Sequence, residues 1–397
     1  MFKNFGPGVL IAAAFIGPGT ITACTIAGVN FQFTLLWTVL LSIIATIVLQ
    51  EMSMRVGIIT RKGLPEIIRE SIKFSWLRYL VLGIVLCAIV LGNTAYEAGN
   101  ISGATLGLEV LLGGLGSQFY PLIVGGIAFA LLYLGSYKTI EKVFIGLVLA
   151  MSFSFILTAL LTGPNILDVL KGMFIPSLPS DSILNIIALV GTTIVPYNLF
   201  LHTSLAKEKW PSKKDIPDAR KDTVLSILIG GLVSLAIIIC AASIPKTSIM
   251  GAMDLALGLE PLYGKAASYL MGIGLFAAGI TSAITAPLAA AYVAQSCFDW
   301  KKDIKGTKFR LTWMVILLAG VASLSTGIRP IAIIQIAQIS NGLLLPIIVI
   351  ILIGIVNKRS LLGKYSNSIW QNLLCILILI LIITLASKSI FEVIGFL

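Results

Sequence analysis

Eleven apolar segments, each long enough to cross a bilayer, follow one another along the chain and constrain the fold more than any other feature. A bilayer core about 30 Å thick takes about 20 helical residues to cross, and only helices and closed barrels satisfy their backbone groups there. The sequence therefore predicts an all-α polytopic membrane protein. The predicted segments are residues 8–29, 34–54, 79–112, 120–137, 142–163, 183–205, 222–245, 264–297, 310–326, 329–356 and 367–391.

Composition and charge agree with this class. Of the 397 residues, 58% are hydrophobic and 11% are charged, whereas soluble domains carry about 25% charged residues. Basic residues favour cytoplasmic loops. With the N-terminus in the cytoplasm and the C-terminus outside, 23 of the 28 basic residues fall on the cytoplasmic side. We interpret the net charge of +11 as a topology signal, and we predict a lipid bilayer but no nucleic acid as partner.

The N-terminus lacks the features of a signal peptide. The first apolar segment is too long for one, and no small-residue cleavage site follows it. We therefore expect the first segment to remain as a membrane helix. The expected location is the plasma (inner) membrane of a prokaryote, and the expected oligomeric state is a monomer.

Two apolar segments are interrupted at their centres by proline. Segment one contains FIGPGTITA at residues 15–23, and segment six reads IALVGTTIVPYNLFLHTSL at residues 187–205. Proline removes a backbone donor and breaks a helix. Because the two interruptions lie five segments apart, they predict two inverted five-helix repeats, an arrangement of secondary transporters. The repeats would span about 8–163 and 183–356, with 367–391 as one peripheral helix of a single transporter domain.

The two interruptions predict a binding site. Unwound backbone within a bilayer is tolerated only where it faces protein or a water-filled cavity, and its freed carbonyls and amides can then bind a cargo. The alternative is that both interruptions are simple proline kinks. For Gln338 and Asn341 of segment ten, the alternative is ordinary hydrogen bonding between helices. The predicted substrate-binding residues are Gly17, Gly19, Thr20, Thr192, Val195, Tyr197, Asn198, Gln338 and Asn341.

Ionisable residues at membrane depth are costly and mark functional positions. Asn93, Glu97 and Asn100 have spacings of four and three residues, so they share one helical face. We predict that Glu97 couples protons or contacts substrate, with a structural hydrogen bond to a neighbouring helix as the alternative. His202, the only histidine, is predicted to relay protons, with helix packing as the alternative. Glu51 lies near a segment end and should reach the interface or a basic loop residue.

Other chemistries find no support in the sequence. The five cysteines lie in or at the ends of apolar segments and have no metal-ligand spacing, so neither a disulfide framework nor a metal centre is predicted. No nucleophile–base pair is visible, which argues against an enzyme. No cofactor is predicted.

Several stretches resemble the Nramp family of proton-coupled metal transporters, and the resemblance runs over nearly the whole chain. It is strongest in GPGVLIAAAFIGPGTITACTIAG, in VPYNLFLHTSL and in GITSAITAPLAAAYVAQ. The resemblance implies the leucine-transporter (LeuT) fold, with a site between broken helices one and six. It also implies that Glu97 is one member of the acidic pair in the family's third helix, with Asn100 at the other position, and that His202 is the second histidine of the sixth helix.

The chain departs from this family at its metal ligands. The first broken helix of the family usually reads Asp-Pro-Gly-Asn, and residues 17–20 here read Gly-Pro-Gly-Thr. The sixth helix usually reads Met-Pro-His, and residues 195–197 here read Val-Pro-Tyr. A divalent ion in a site of low dielectric constant needs compensating negative charge, and soft ions favour sulfur or imidazole ligands. The side chains of Thr20, Tyr197 and Asn198 are neutral.

These departures lead us to predict a proton-coupled secondary transporter that moves a small polar organic solute by alternating access. The loss of the aspartate opens space beside Pro18, and a cavity lined by neutral polar groups suits an organic solute. The alternative is a divalent cation transporter of the Mg²⁺ or Mn²⁺ type with a rebuilt site, since Mg²⁺ accepts oxygen ligands and keeps its water. A membrane sensor or scaffold is a third possibility, but no long tail or signalling domain accompanies the helices.

Overall fold

The computed structural model describes residues 16–135, 138–245, 248–301 and 303–394. All regular structure in these ranges is helical. The helices of the first half are α1 (Pro18–Phe31), α2 (Leu36–Thr60), α3 (Leu64–Ser71), α4 (Ser75–Leu112), α5 (Tyr120–Leu134), α6 (Lys138–Leu161) and α7 (Ile166–Phe174). Those of the second half are α8 (Ile183–Thr193), α9 (Pro196–Lys209), α10 (Ile216–Ala242), α11 (Ala252–Ala256), α12 (Glu260–Tyr263), α13 (Ala267–Cys297), α14 (Thr307–Ser323), α15 (Pro330–Val356), α16 (Arg359–Leu362) and α17 (Ile369–Ile394).

Ten helical stretches in the described ranges are long and apolar enough to cross a membrane. They correspond to predicted segments two to eleven, which confirms the polytopic all-α class. Segment one is represented by α1, which has 14 residues. Its earlier part, residues 8–15, lies outside the described residues. The boundaries of the two inverted repeats remain a prediction.

The predicted interruption of segment six is confirmed. Helix α8 ends at Thr193, and α9 begins at Pro196 after two non-helical residues. Val195 is extended, with φ −81° and ψ 119°. Proline suits the first position of a helix, because the N–H that it lacks would have no partner inside the helix. Helix α1 begins in the same way at Pro18, after an extended Gly17. Because residues 1–15 lie outside the described residues, the interruption of segment one remains a prediction.

Helix α2 continues beyond its predicted end at residue 54, and the basic side chain that we assigned to a cytoplasmic loop is buried within it. Arg55 is 2% exposed and donates hydrogen bonds to the backbone carbonyl of Tyr365 and to Oδ1 of Asn367. It also lies 3.1 Å from the Glu51 carboxylate, which pairs with Arg220 at 2.8 Å. The charge of Arg55 is therefore satisfied inside the protein. Glu51 reaches basic residues as predicted, but both of them lie in helices, Arg55 in α2 and Arg220 in α10, and not in a loop.

The packing places Pro18 and Pro196 near the centre of the protein. Helix α4 packs against α13 and α15, and α15 also packs against α8 and α1. On the other side, α10 packs against α1 and α2, while α2 contacts α9. The main cluster of buried apolar side chains extends from α1 to α17. Helices α1, α8 and α9 are therefore enclosed by their neighbours, and many outer helices expose apolar side chains, as a lipid-facing surface requires.

Candidate functional site

Helices α1, α8 and α15 meet beside the two proline breaks. The hydroxyls of Thr20 and Thr192 form a hydrogen bond of 2.8 Å, and both residues are at most 1% exposed. A Cβ atom at Gly19 would overlap the side-chain amide of Gln338, and one at Gly191 would overlap the Gln338 backbone carbonyl. Both glycines therefore permit a close approach of α15. The structure thus brings together four of the predicted site residues.

A second group of residues lies where α9 begins. The ring of Tyr197 meets the ring of Tyr96 from α4 edge-on, with 5.6 Å between the centroids. A Cβ atom at Gly17 would lie 3.3 Å from Oγ of Ser282 and 3.8 Å from the Tyr96 hydroxyl. The position that carries aspartate in the family motif is therefore bordered here by neutral hydroxyl groups of α4 and α13.

Tyr96 and Ser282 were not among the predicted site residues. A signal for Tyr96 was present in the sequence. Asn93, Tyr96 and Asn100 have spacings of three and four residues, so they share a helical face. Ser282 lies in the hydroxyl-rich stretch GITSAITAP of segment eight. Its sequence favours hydrogen bonding between helices over a binding site, because small hydroxyl residues are common wherever membrane helices pack.

Several polar atoms at this site are buried without a hydrogen-bond partner in the described part of the protein. They belong to residues that are at most 2% exposed. An unpaired buried polar group costs about 1–3 kcal/mol, so these atoms are candidates to bind a polar ligand. The atoms are the Tyr197 hydroxyl, Nδ2 and Oδ1 of Asn198, Oε1 of Gln338 and Nδ2 of Asn341.

The backbone carbonyls at the two breaks are partly engaged. The Gly17 carbonyl accepts hydrogen bonds from the amides of Thr20 and Ile21, at 3.1 Å and 3.2 Å. The Val195 carbonyl accepts one from the amide of Asn198 at 3.1 Å and keeps a second lone pair. Gly17 therefore contributes space more than a free carbonyl. The roles of Gly17, Gly19 and Val195 in substrate binding remain predictions.

Glu97 is fully buried in α4 beside this site. Its Oε2 atom accepts a hydrogen bond of 3.2 Å from Nδ2 of Asn100, and its Oε1 atom has no partner among the described residues. Gly320 of α14 packs directly against the Glu97 side chain. Glu97 directly follows Tyr96, whose ring contacts Tyr197. The hydrogen bond to Asn100 lies within α4, so the alternative that we gave, a structural hydrogen bond to a neighbouring helix, is not found for Glu97 among the described residues. One carboxyl oxygen is left unpaired there and is available for proton transfer.

His202 belongs to a separate polar contact. Its Nδ1 atom lies 2.9 Å from Oε1 of Gln50, so the imidazole links α9 to α2. Among the described residues, no hydrogen bond joins His202 to Glu97. Gln50 was missed because the pair is separated by 152 positions.

Asn341 faces α4, since a Cβ atom at Gly92 would lie 3.6 Å from its Oδ1 atom.

Metal-binding residue types do not cluster in this site. No group of three or more His, Cys, Asp or Glu residues that could hold a metal ion occurs in residues 16–135, 138–245, 248–301 and 303–394. The five cysteines are free. The donors at the site are hydroxyl and amide groups, with Glu97 as the acidic residue beside them.

Comparison with known proteins decides the family. The family model described as natural resistance-associated macrophage protein-like, or Nramp, matches residues 8–392. The chain belongs to the Nramp family. Among curated relatives of this Nramp chain, the divalent metal cation transporter MntH of Erwinia tasmaniensis is 27% identical over 382 residues, covering 92% of this chain and 89% of that protein. MntH of Bacillus subtilis is 25% identical over 397 residues, covering 96% and 90%.

Solved structures agree with the Nramp assignment at the level of the fold. A crystal structure of a variant of the Eremococcus coleocola manganese transporter superposes with a TM-score of 0.79. It covers 98% of this chain and 86% of that one, at 19% sequence identity. The likeness extends the all-α class to the LeuT-like architecture that the resemblance implied.

Proposed function

We propose that this Nramp protein is a secondary active transporter that carries a divalent metal cation across the membrane by alternating access. The proposal is supported by the family match and by relatives that are named divalent metal cation transporters. These comparisons favour the metal cation, given above as the alternative, over the organic solute that the sequence led us to predict. Membership of a transporter family also agrees with the prediction that the protein is not an enzyme.

The donor set points to a cation that keeps much of its water. A bare divalent ion held only by neutral groups would not recover its dehydration energy in a site of low dielectric constant. Mg²⁺ retains several waters and accepts oxygen ligands. The unpaired oxygens of Tyr197, Asn198 and Gln338 can accept hydrogen bonds from such waters. The neutral, buried and unsatisfied oxygen cluster is the observation that carries this part of the proposal.

The Gly17 position supports the same cation. A carboxylate there would replace water in the ion's first shell and supply a charge. Glycine puts no side chain into the narrow space between its Cα atom and the hydroxyls of Ser282 and Tyr96. A hydrated ion is larger than a bare one, so the added space suits it.

Proton coupling remains part of the proposal. Glu97 is the candidate proton carrier, because one of its carboxyl oxygens is unpaired in the described residues and lies near the site. His202, through its contact with Gln50, is the candidate relay along α9. Proton movement inward would then drive uptake of the cation.

We also propose the orientation and the location. The N-terminus lies in the cytoplasm and the C-terminus outside, in the plasma membrane of a prokaryote. The bias of 23 of 28 basic residues toward one side supports this orientation. The protein acts as a monomer and does not bind nucleic acid.

Uptake into proteoliposomes tests the proposed function. Vesicles containing the purified protein are loaded with a fluorescent indicator and exposed to Mg²⁺ or Mn²⁺ under an inward proton gradient. In parallel, radiolabelled amino acids and small carboxylates are supplied as organic solutes. We expect uptake of the cations. Uptake of an organic solute with no cation flux would overturn the proposal.

Two threonines in different helices, Thr20 and Thr158, provide the test variant and its matched control. Thr20→Val removes a hydroxyl from the site, and Thr158→Val removes one that bonds only to the carbonyl of Ser154 within α6. Cation uptake should fall several-fold in Thr20→Val and remain unchanged in Thr158→Val. Equal uptake by both variants would remove Thr20 from the transport site.

A further inference from the structure

A cleft of about 760 Å³ lies apart from the transport site, between α3, the first turns of α4 and the end of α13. Three basic residues line one part of it. Apolar side chains form another part of the wall. The basic residues are Arg69, Lys73 and Arg78, and the apolar ones include Leu82, Leu86 and Phe298.

The acidic residues of this cleft are already paired. Glu70 forms an ion pair with Lys62, and Asp299 lies 2.7 Å from Arg69. The other two basic side chains, Lys73 and Arg78, have neither an ion pair nor a side-chain hydrogen bond in the described residues. The cleft therefore carries two positive charges that no protein group there neutralises.

Aromatic side chains place the mouth of the cleft at the membrane surface. Phe74, Trp76 and Tyr79 are 70%, 68% and 68% exposed at the start of the membrane-spanning helix α4. Exposed aromatic residues at the ends of membrane helices lie at the level of the lipid headgroups. The Arg78 guanidinium lies 5.3 Å from the ring centre of Tyr79, so charge and aromatic belt are in contact.

We propose that this cleft binds an anionic phospholipid, with the phosphate near Lys73 and Arg78 and an acyl chain along the apolar wall. Basic pockets between membrane helices recognise anionic headgroups. A soluble phosphate would satisfy the two charges but would make no use of Leu82 and Leu86. The first turn of α4 contains no acidic residue, so nothing there repels the headgroup.

A lipid titration of the full-length protein tests the charge requirement. The protein in neutral detergent is titrated with phosphatidylglycerol, phosphatidylcholine or glycerol 3-phosphate, and bound lipid is counted by native mass spectrometry. We expect binding of phosphatidylglycerol only. Lys73→Gln combined with Arg78→Gln should weaken it roughly tenfold or more, because each basic residue near a membrane surface strengthens anionic-lipid binding several-fold. Lys213→Gln combined with Lys214→Gln removes two exposed charges elsewhere and should leave it unchanged.

A cleft-filling variant tests the apolar wall without changing charge. A Cβ atom at Gly83, which lines the cleft, would meet no atom within 4 Å, so Gly83→Phe can be accommodated. It should abolish most phosphatidylglycerol binding. Gly146→Phe is the control, because that glycine also faces open space but lies in α6.

Three results would overturn the proposal. The first is phosphatidylglycerol binding that neither the charge variant nor the cleft-filling variant reduces. The second is equal binding of phosphatidylcholine, which would indicate general lipid adhesion. The third is equally tight binding of glycerol 3-phosphate, which would indicate a site for a soluble anion.

Discussion

Replacing Tyr197 by phenylalanine separates binding from folding at the proposed site. The Tyr197 hydroxyl is fully buried and has no hydrogen-bond partner among the described residues. A buried unpaired hydroxyl costs about 1–3 kcal/mol. Phenylalanine removes this cost and keeps the edge-on packing against Tyr96. We therefore expect Tyr197→Phe to raise the free energy of unfolding by about 1 kcal/mol.

The same change should weaken cation binding. If the hydroxyl bonds a water of the hydrated ion, its loss removes one neutral hydrogen bond, worth about 0.5–1.5 kcal/mol. That range corresponds to a two- to twelvefold rise in Kd. Isothermal titration calorimetry with Mg²⁺ and Mn²⁺ measures the affinity, and thermal unfolding of the ligand-free protein measures stability.

Tyr120→Phe is the matched control. The Tyr120 hydroxyl donates a hydrogen bond of 2.7 Å to the carbonyl of Gly113, which directly follows the C-terminal residue of α4. Its removal should destabilise the protein by about 1 kcal/mol and leave cation affinity unchanged. The two variants thus make the same chemical change with opposite expected signatures. If Tyr197→Phe lost stability and kept its affinity, as expected for Tyr120→Phe, the assignment of Tyr197 to the binding site would be refuted.

Further variants test neighbouring parts of the site. Gly17→Asp brings a Cβ atom to 3.3 Å from Oγ of Ser282, so the serine side chain must shift slightly. The variant should tighten Mn²⁺ binding roughly tenfold in calorimetry, because the Coulomb attraction of about 4 kcal/mol per pair of unit charges outweighs the cost of desolvating the new carboxylate. Unchanged affinity would mean that the cation lies elsewhere. Glu97→Gln keeps the shape of the side chain but not its proton, so cation binding should persist while vesicle acidification during uptake falls at least about tenfold; full acidification would exclude Glu97 as the carrier. Gly191→Ala forces a Cβ atom into the backbone carbonyl of Gln338, which cannot move aside as a side chain can, and should lower the free energy of unfolding by about 1–3 kcal/mol, with an unchanged melting temperature as the contrary result.

Local sequence signals predicted most of the architecture. Apolar length located ten of the spans, and Pro196 with its polar neighbours located the break in segment six. Both features depend on residues close together in the chain. Thr20 and Thr192 were predicted to belong to one site, but the hydrogen bond between their hydroxyls was not predicted.

Features that depend on distant residues were not predictable in this way. Arg55 was counted among the basic residues of a cytoplasmic loop because charged residues are rare within membrane helices. In the structure its guanidinium is buried and donates hydrogen bonds to Tyr365 and Asn367. Gln50 gave no local sign of its contact with His202. The cargo was also beyond local reasoning. Neutral side chains do not by themselves exclude an organic solute, and the comparison with relatives favoured a cation as the cargo.

Counting the waters on a bound Mn²⁺ ion tests the central claim most directly. Pulsed electron paramagnetic resonance of the Mn²⁺-loaded protein in D₂O resolves water ligands through their exchangeable deuterons. A site of neutral oxygens that holds a hydrated cation predicts that about four of the six ligands are water. An ion with one water or none, held by a carboxylate or a sulfur atom, would contradict the account, as would the absence of bound Mn²⁺.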